Sequence, residues 1–183
     1  IVPAFVKQLE ENGVYYIDNE TEMLQLTKTV LNHDMKMVRK MEGKSAMDIL
    51  EEAGIHPNRP VRLVVVRTFA KHPLVLEECL MPVVPLVAVA DFEEALETAL
   101  FTEQGYRHTA MVHSQCIDRL SKAAKIMNTT VFIKNGSSLA GIGLNGEEMA
   151  SFTIANVTGE GITTARDFAC KRSCTLTSGF SLR

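Results

Sequence analysis

Cysteine is scarce in this 183-residue chain: there are four, at positions 79, 116, 170 and 174. There is no CxxC pair and no secretory leader in the residues present, so a disulfide scaffold is not expected. The thiols are expected to be reduced, in a cytoplasmic setting. Cys170 and Cys174 lack the spacing of a zinc site and the two further ligands it needs, so no metal is expected. The 11 Gly and 6 Pro are too few for a collagen-like or mucin-like chain. Nineteen Lys and Arg against 22 Asp and Glu leave a net charge of -3 and no basic stripe, which argues against a nucleic-acid partner. The longest apolar run, residues 79–90, is too short to span a bilayer and is interrupted by Pro82 and Pro85, so no membrane partner is expected either. Internal repeats and low-complexity tracts are absent.

What is there suits a folded domain. Hydrophobic residues make up 46% of the chain and charged residues 22%, which excludes a disordered tail. Folding at this length buries roughly 70% of the unfolded surface without any staple. Three styles follow one another. Residues 1–60 read as a helical lead-in: Val2, Phe5, Val6 and Leu9 recur at helical spacing before Gly13, and residues 21–32 resume it with Met23, Leu24, Leu26 and Leu31. A short strand is expected between them at residues 14–17. Ser45 and Asp48 form a capping-box variant opening a helix that Gly54 closes.

Residues 61–150 change style. Residues 61–67 (VRLVVVR) form a nearly continuous apolar strand, as expected where both faces of a sheet are covered. Residues 83–89, 109–112 and 129–133 are further strands. Asp91 opens a helix over residues 92–103 that Gly105 ends, and Ser114 is expected to cap a helix running to Met127. Alternating strands and helices are the rhythm of parallel βαβ units, so the fold class is α/β with a parallel sheet. In residues 151–183 a short helix is expected over 163–170 and a terminal strand over 174–177. Six of the 11 glycines lie between Gly136 and Gly161, which marks that stretch as an ordered loop with special backbone angles.

The candidate chemistry is incomplete. Gly141, Gly143 and Gly146 spell GxGxxG, but the strand before and the helix after that a dinucleotide fingerprint requires are not adjacent. A turn-rich loop over the end of a sheet accounts for the same residues. The residues from Thr158 to Gly161 precede an expected helix and offer N–H groups to an anion, although Glu160 opposes one and a structural turn explains them equally. Cys79 follows Glu77 and Glu78, whose charge raises a thiol pKa and disfavours a nucleophile. Cys116 lies at a helix start with His113 nearby, the best local setting for a nucleophile and also an ordinary place for an idle thiol. The five His, at 33, 56, 72, 108 and 113, form no HExxH pattern. Glu77 and Glu78 sit where a strand enters a sheet, costly to bury without a partner. A ribose diol is one partner a carboxylate accepts well, and a surface turn is the alternative.

Several segments taken together resemble the C-terminal half of the aldehyde dehydrogenase superfamily, nearest to its CoA-acylating branch of ethanolamine and propanediol utilisation. Glu77, Glu78, Pro82 and Val83 match a Glu-Glu-x-x-x-Pro-Val segment. Residues 105–110 (GYRHTA), 129–136 (TTVFIKNG) and 140–143 (AGIG) resemble loops of that branch. Residues 152–155 (FTIA) with 158–161 (TGEG), then Ala165 and Arg166, are the most specific stretch, and residues 176–183 (LTSGFSLR) are similar to the branch's ending.

The resemblance implies an oxidoreductase that converts a short-chain aldehyde, NAD and CoA into acyl-CoA and NADH, by attack of a cysteine thiolate, hydride transfer and release to CoA. It implies that Glu78 binds the nicotinamide-side ribose, with Leu80 beside the nicotinamide. It places Gly136, Ser137, Ser138, Leu139 and Ile142 in the lining of the acyl pocket, and the final strand in a homo-oligomer surface. The family's nucleophilic Cys and nucleotide-binding domain precede the position matching Ile1. The chain, which opens within an amphipathic run, is therefore expected to be an inactive piece of a longer protein with no catalytic residue of its own. Ser137 and Leu139 stand where Pro and Tyr are usual, and Asn145 and Glu148 where glycines are. The implied location is the cytoplasm or the interior of a bacterial microcompartment. A non-catalytic assembly module of the same superfamily is the alternative, and a phosphate-reducing relative is a weaker third reading.

Overall fold

The computed structural model describes residues 1–146, 151, 153–155, 161–175, 177 and 179. They divide into two compact units, Ile1–Gln104 and Gly105–Arg183. The change of sequence style near residue 60 falls inside the first unit, because strands from either side of it pair.

The first unit is built on a parallel sheet of order β1-β2-β3, with β1 at Val14–Ile17, β2 at Leu63–Thr68 and β3 at Val83–Val87. Val14 pairs with Leu63 and Val64 with Val83. β2 is central, and Val64, Val65 and Val66 are all buried although they alternate between faces. This is the both-faces-covered strand that the apolar run predicts. On one face Ile17, Val64, Val66 and Val83 meet Leu26 and Val30 of α2 (Glu20–Val30) and Ile49 and Leu50 of α3 (Ala46–Glu52) in one cluster. Burying each Leu or Ile side chain there contributes about 1.5–3 kcal/mol. α1 (Val2–Glu11) packs on β1, yet none of its residues is buried.

Local chemistry sets the helix ends. Ser45 accepts from the Asp48 N–H while the Asp48 side chain accepts from the Ser45 N–H, so the expected capping box is complete. Gly54 follows α3 at φ 73°, the left-handed conformation a helix stop requires. A one-turn helix, α4 (Pro73–Leu76), precedes β3, and α5 (Phe92–Glu103) starts at Asp91, whose carboxylate accepts from Glu94.

In the second unit β4 (Thr109–Val112) and β5 (Val131–Lys134) form a parallel pair joined by α6 (Ile117–Met127). The alternation read as one run of βαβ units is thus split between two sheets, with β3 and β4 in different ones. Cys116, not Ser114, is the N-cap of α6; Ser114 Oγ accepts from the Cys116 N–H two residues earlier. β6 (Thr153–Ala155) and β7 (Gly161–Thr163) form an antiparallel pair.

Two expectations for the C-terminal third are corrected. Residues 163–170 do not form a helix. Thr163 is the last residue of β7, and residues 165–168 are turns. The Asp167 carboxylate accepts from both the N–H and hydroxyl of Thr164, while the Asp167 N–H donates to the Thr164 carbonyl, closing a local turn in place of a helical ladder. The terminal strand expected over 174–177 is not formed at Cys174, Thr175 or Thr177. Leu176, Ser178 and residues 180–183, with the oligomer surface expected there, lie outside the described residues, as do Phe152 and residues 158–160.

Candidate functional site

In the first unit the chemistry-bearing segment is the short crossing from α4 to β3. His72 caps α4, its Nδ1 accepting from the Leu74 N–H at 3.2 Å. His72 is buried against Phe69, with ring centroids 5.4 Å apart and edge-on. Burial holds its pKa below the usual histidine value, in keeping with a neutral ring that accepts at Nδ1. α4 ends with the Glu77 N–H donating to the Pro73 carbonyl.

The acidic pair then splits. Glu77 forms an ion pair with Lys36, Nζ to Oε1 at 2.5 Å. Glu78 is exposed. Cys79 turns inward against the core and its Sγ lies 3.7 Å from the carbonyls of Leu74 and Glu77. Its pKa is pushed up to about 11, chiefly by burial, with Glu77 and Glu78 adding to the effect. Acidic neighbours are what the sequence offers as the cause, but desolvation is the larger one. Leu80 is 55% exposed, while its carbonyl accepts from the Gly43 N–H at 3.0 Å. The segment therefore presents Glu78 and Leu80 outward from a backbone held on either side.

In the second unit β5 runs into the glycine-rich loop. Asn135 ends the strand at φ 53° and clamps the β4–α6 connection. Its Oδ1 accepts from the Ser114 N–H at 2.8 Å and its Nδ2 donates to the Ser114 carbonyl at 2.9 Å. Ser137 then caps a 3-10 turn, Ser138–Ile142, its Oγ accepting from Leu139 at 3.3 Å. This turn lies flat on β5 because Gly141 has no side chain. A Cβ there would sit 2.6 Å from Val131 Cγ1. A Cβ on Gly146 would meet the Ala140 carbonyl oxygen at 2.4 Å. The three glycines of the GxGxxG spelling thus serve a packed turn: Gly141 and Gly146 for contact, Gly143 for a left-handed φ of 95°.

Between β5, this turn and β7 is a cavity of about 460 Å³. Thr130, Phe132 and Lys134 line it with Ala140, Gly141 and Ile162. Gly136, Ser137, Ser138, Leu139 and Ile142 belong to the same loop, but the loop's share of the wall is made by Ala140, Gly141 and Gly146. Phe132 and Lys134 lie in the 129–136 segment that carries the resemblance but have no individual signal in the sequence, and Ile162 has none beyond its place after the last glycine pair. Lys36 and Gly43 were also missed, since nothing near them in sequence points to residues 77–80.

The thiols supply no assembled catalytic group among the described residues. Cys116, Cys170 and Cys174 are exposed, and Cys79 is held protonated. No helix of the described residues is long and apolar enough to cross a membrane.

No protein-family model matches the chain. Individual proteins do. The CoA-propanoylating propanal dehydrogenase of Citrobacter freundii is 43% identical over 184 residues, covering 100% of this chain and 40% of that protein. The chain is a homologue of the CoA-acylating aldehyde dehydrogenases. The solved structure of the Rhodopseudomonas palustris propionaldehyde dehydrogenase with bound propionyl-CoA superimposes on 96% of this chain and 39% of its own, with 39% identity and a TM-score of 0.89. A propionaldehyde dehydrogenase from the fucose-utilisation microcompartment of Clostridium phytofermentans matches 96% of this chain and 40% of its own, at 35% identity and a TM-score of 0.83. The chain therefore spans about two fifths of the length of the relatives it matches.

Proposed function

We propose that the chain is the catalytic-domain portion of an enzyme that oxidises a short-chain aldehyde, with NAD and CoA, to an acyl-CoA. The observation that carries this is the 43% identity to a CoA-propanoylating dehydrogenase along the whole chain. The displayed segment at Glu78 suits such a role. An exposed carboxylate on a braced backbone accepts hydrogen bonds from a ribose diol, and Leu80 offers an apolar face beside it. Bound dinucleotide supplies the hydride acceptor. This chain's part is to hold the ribose through Glu78 and to shape the acyl side through Gly136, Ser137, Ser138, Leu139 and Ile142, in the loop that shares a turn with the cavity wall. The attacking thiolate and the nucleotide-binding domain are contributed from outside these 183 residues, and self-association runs through the C-terminal residues. The working location is the cytoplasm or a microcompartment lumen.

The test is steady-state kinetics on the complete natural polypeptide carrying these residues. Glu78→Gln is expected to raise the KM for the dinucleotide about tenfold, the loss of a hydrogen bond to a charged acceptor. An unchanged dinucleotide KM would remove Glu78 from the cofactor site.

A further inference from the structure

Glu78 is exposed and its own side chain does not fix where it stands; its neighbours do. The Glu77 carboxylate is held by Lys36, and the Leu80 carbonyl by the Gly43 N–H. Both holds come from one connection, the loop between α2 and α3. Lys36 itself is placed with care. Its N–H donates to the Asn32 side-chain oxygen at 3.0 Å, and its carbonyl accepts from the Asn32 N–H at 2.8 Å. Met35 adopts φ 58° to close the turn, and Leu31 bridges to Met37 on the other side. An exposed lysine ordinarily samples many rotamers. Here a fixed backbone aims it across 41 positions of sequence at the Glu77 carboxylate.

We propose that Lys36 is a positioning residue for the nicotinamide cofactor: through Glu77 it sets the place at which Glu78 meets the ribose. This rests on the reading of Glu78 given above. Glu77 is 26% exposed and Lys36 65%, so the pair is partly screened and its effect is moderate. It acts on dinucleotide binding and leaves the acyl side untouched.

The experiment compares Lys36→Met, Lys36→Arg and Glu78→Gln in the complete natural polypeptide, with aldehyde and CoA saturating. Lys36→Met is expected to raise the dinucleotide KM roughly two- to fivefold. The values of kcat, the other KM values and Tm should stay unchanged. Lys36→Arg restores the KM, added salt shrinks the difference, and Lys36→Met adds nothing on a Glu78→Gln background. A raised KM in Glu78→Gln with none in Lys36→Met overturns the role of Lys36 and leaves Glu78 in the site. No change in Glu78→Gln sinks both. A Lys36→Met variant in which every KM rises and Tm falls shows general support of the fold and overturns the positioning role.

Discussion

Cys79 and His72 lie seven residues apart on the same crossing and titrate in opposite senses. The Cys79 thiol, raised to about 11, is stabilised in its protonated form by folding. Its contribution is complete below the pKa of an unfolded thiol and is lost as pH rises toward 11. The His72 ring is depressed, so its contribution is complete above the unfolded value near 6.5 and is lost as pH falls below it. Tm measured against pH should decline on the acid side from about 6.5. His72→Asn, which keeps an acceptor for the Leu74 N–H, should flatten that decline; an identical acid limb in the variant would assign the loss to other groups. For Cys79 the readout is labelling. At pH 8 its thiolate fraction is about a hundredfold below that of an ordinary thiol. Pulse alkylation of the native chain should therefore modify Cys79 last of the four cysteines, and denaturant should abolish the difference. Native labelling of Cys79 as fast as Cys116 would contradict the burial.

Helix starts and stops in this chain depend on contacts a few residues long, whereas the strands and the 3-10 turn depend on tertiary contacts. The capping box at Ser45, the Asp91 cap and the glycine stops are legible because donor and acceptor lie within four residues. The turn over Ser138–Ile142 is different. Its geometry needs Gly141 only because Val131 and Ile133 lie beneath it, which no local pattern announces. Gly141→Ala is expected to destabilise the second unit by about 1–3 kcal/mol, the usual cost of an added carbon in a packed site. Denaturant titration followed by hydrogen exchange at β5 would measure it, and an unshifted midpoint would mean the turn lifts freely. The same reasoning explains the missed helix at 163–170. Thr164 and Asp167 satisfy each other locally while Thr163 is claimed by β6, so helical propensity is outbid by pairing.

At the scale of the whole chain, the first unit carries Glu78 and Leu80, and the second carries the glycine-rich loop and its cavity. Purified as 183 residues, the chain is expected to form no NADH from aldehyde, NAD and CoA. Absorbance at the NADH band under saturating substrates measures this directly, and turnover dependent on both aldehyde and CoA would place the nucleophile within the chain.

The sequence by itself determined strands β1 to β5 and the longer helices, where most of them start, and the resemblance to the CoA-acylating aldehyde dehydrogenases. β2 had to be buried on both faces because its side chains are apolar at both alternating positions. Helix starts followed from caps within a turn of the chain. Only the tertiary structure decided how the strands are shared between sheets, that Glu77 is paired while Glu78 is left outward, and that Gly141 is a packing residue and not part of a nucleotide fingerprint. Periodicity and capping are short-range properties of neighbouring residues. The Lys36–Glu77 pair and the seat of the glycine turn on β5 exist only once separated segments have been folded together.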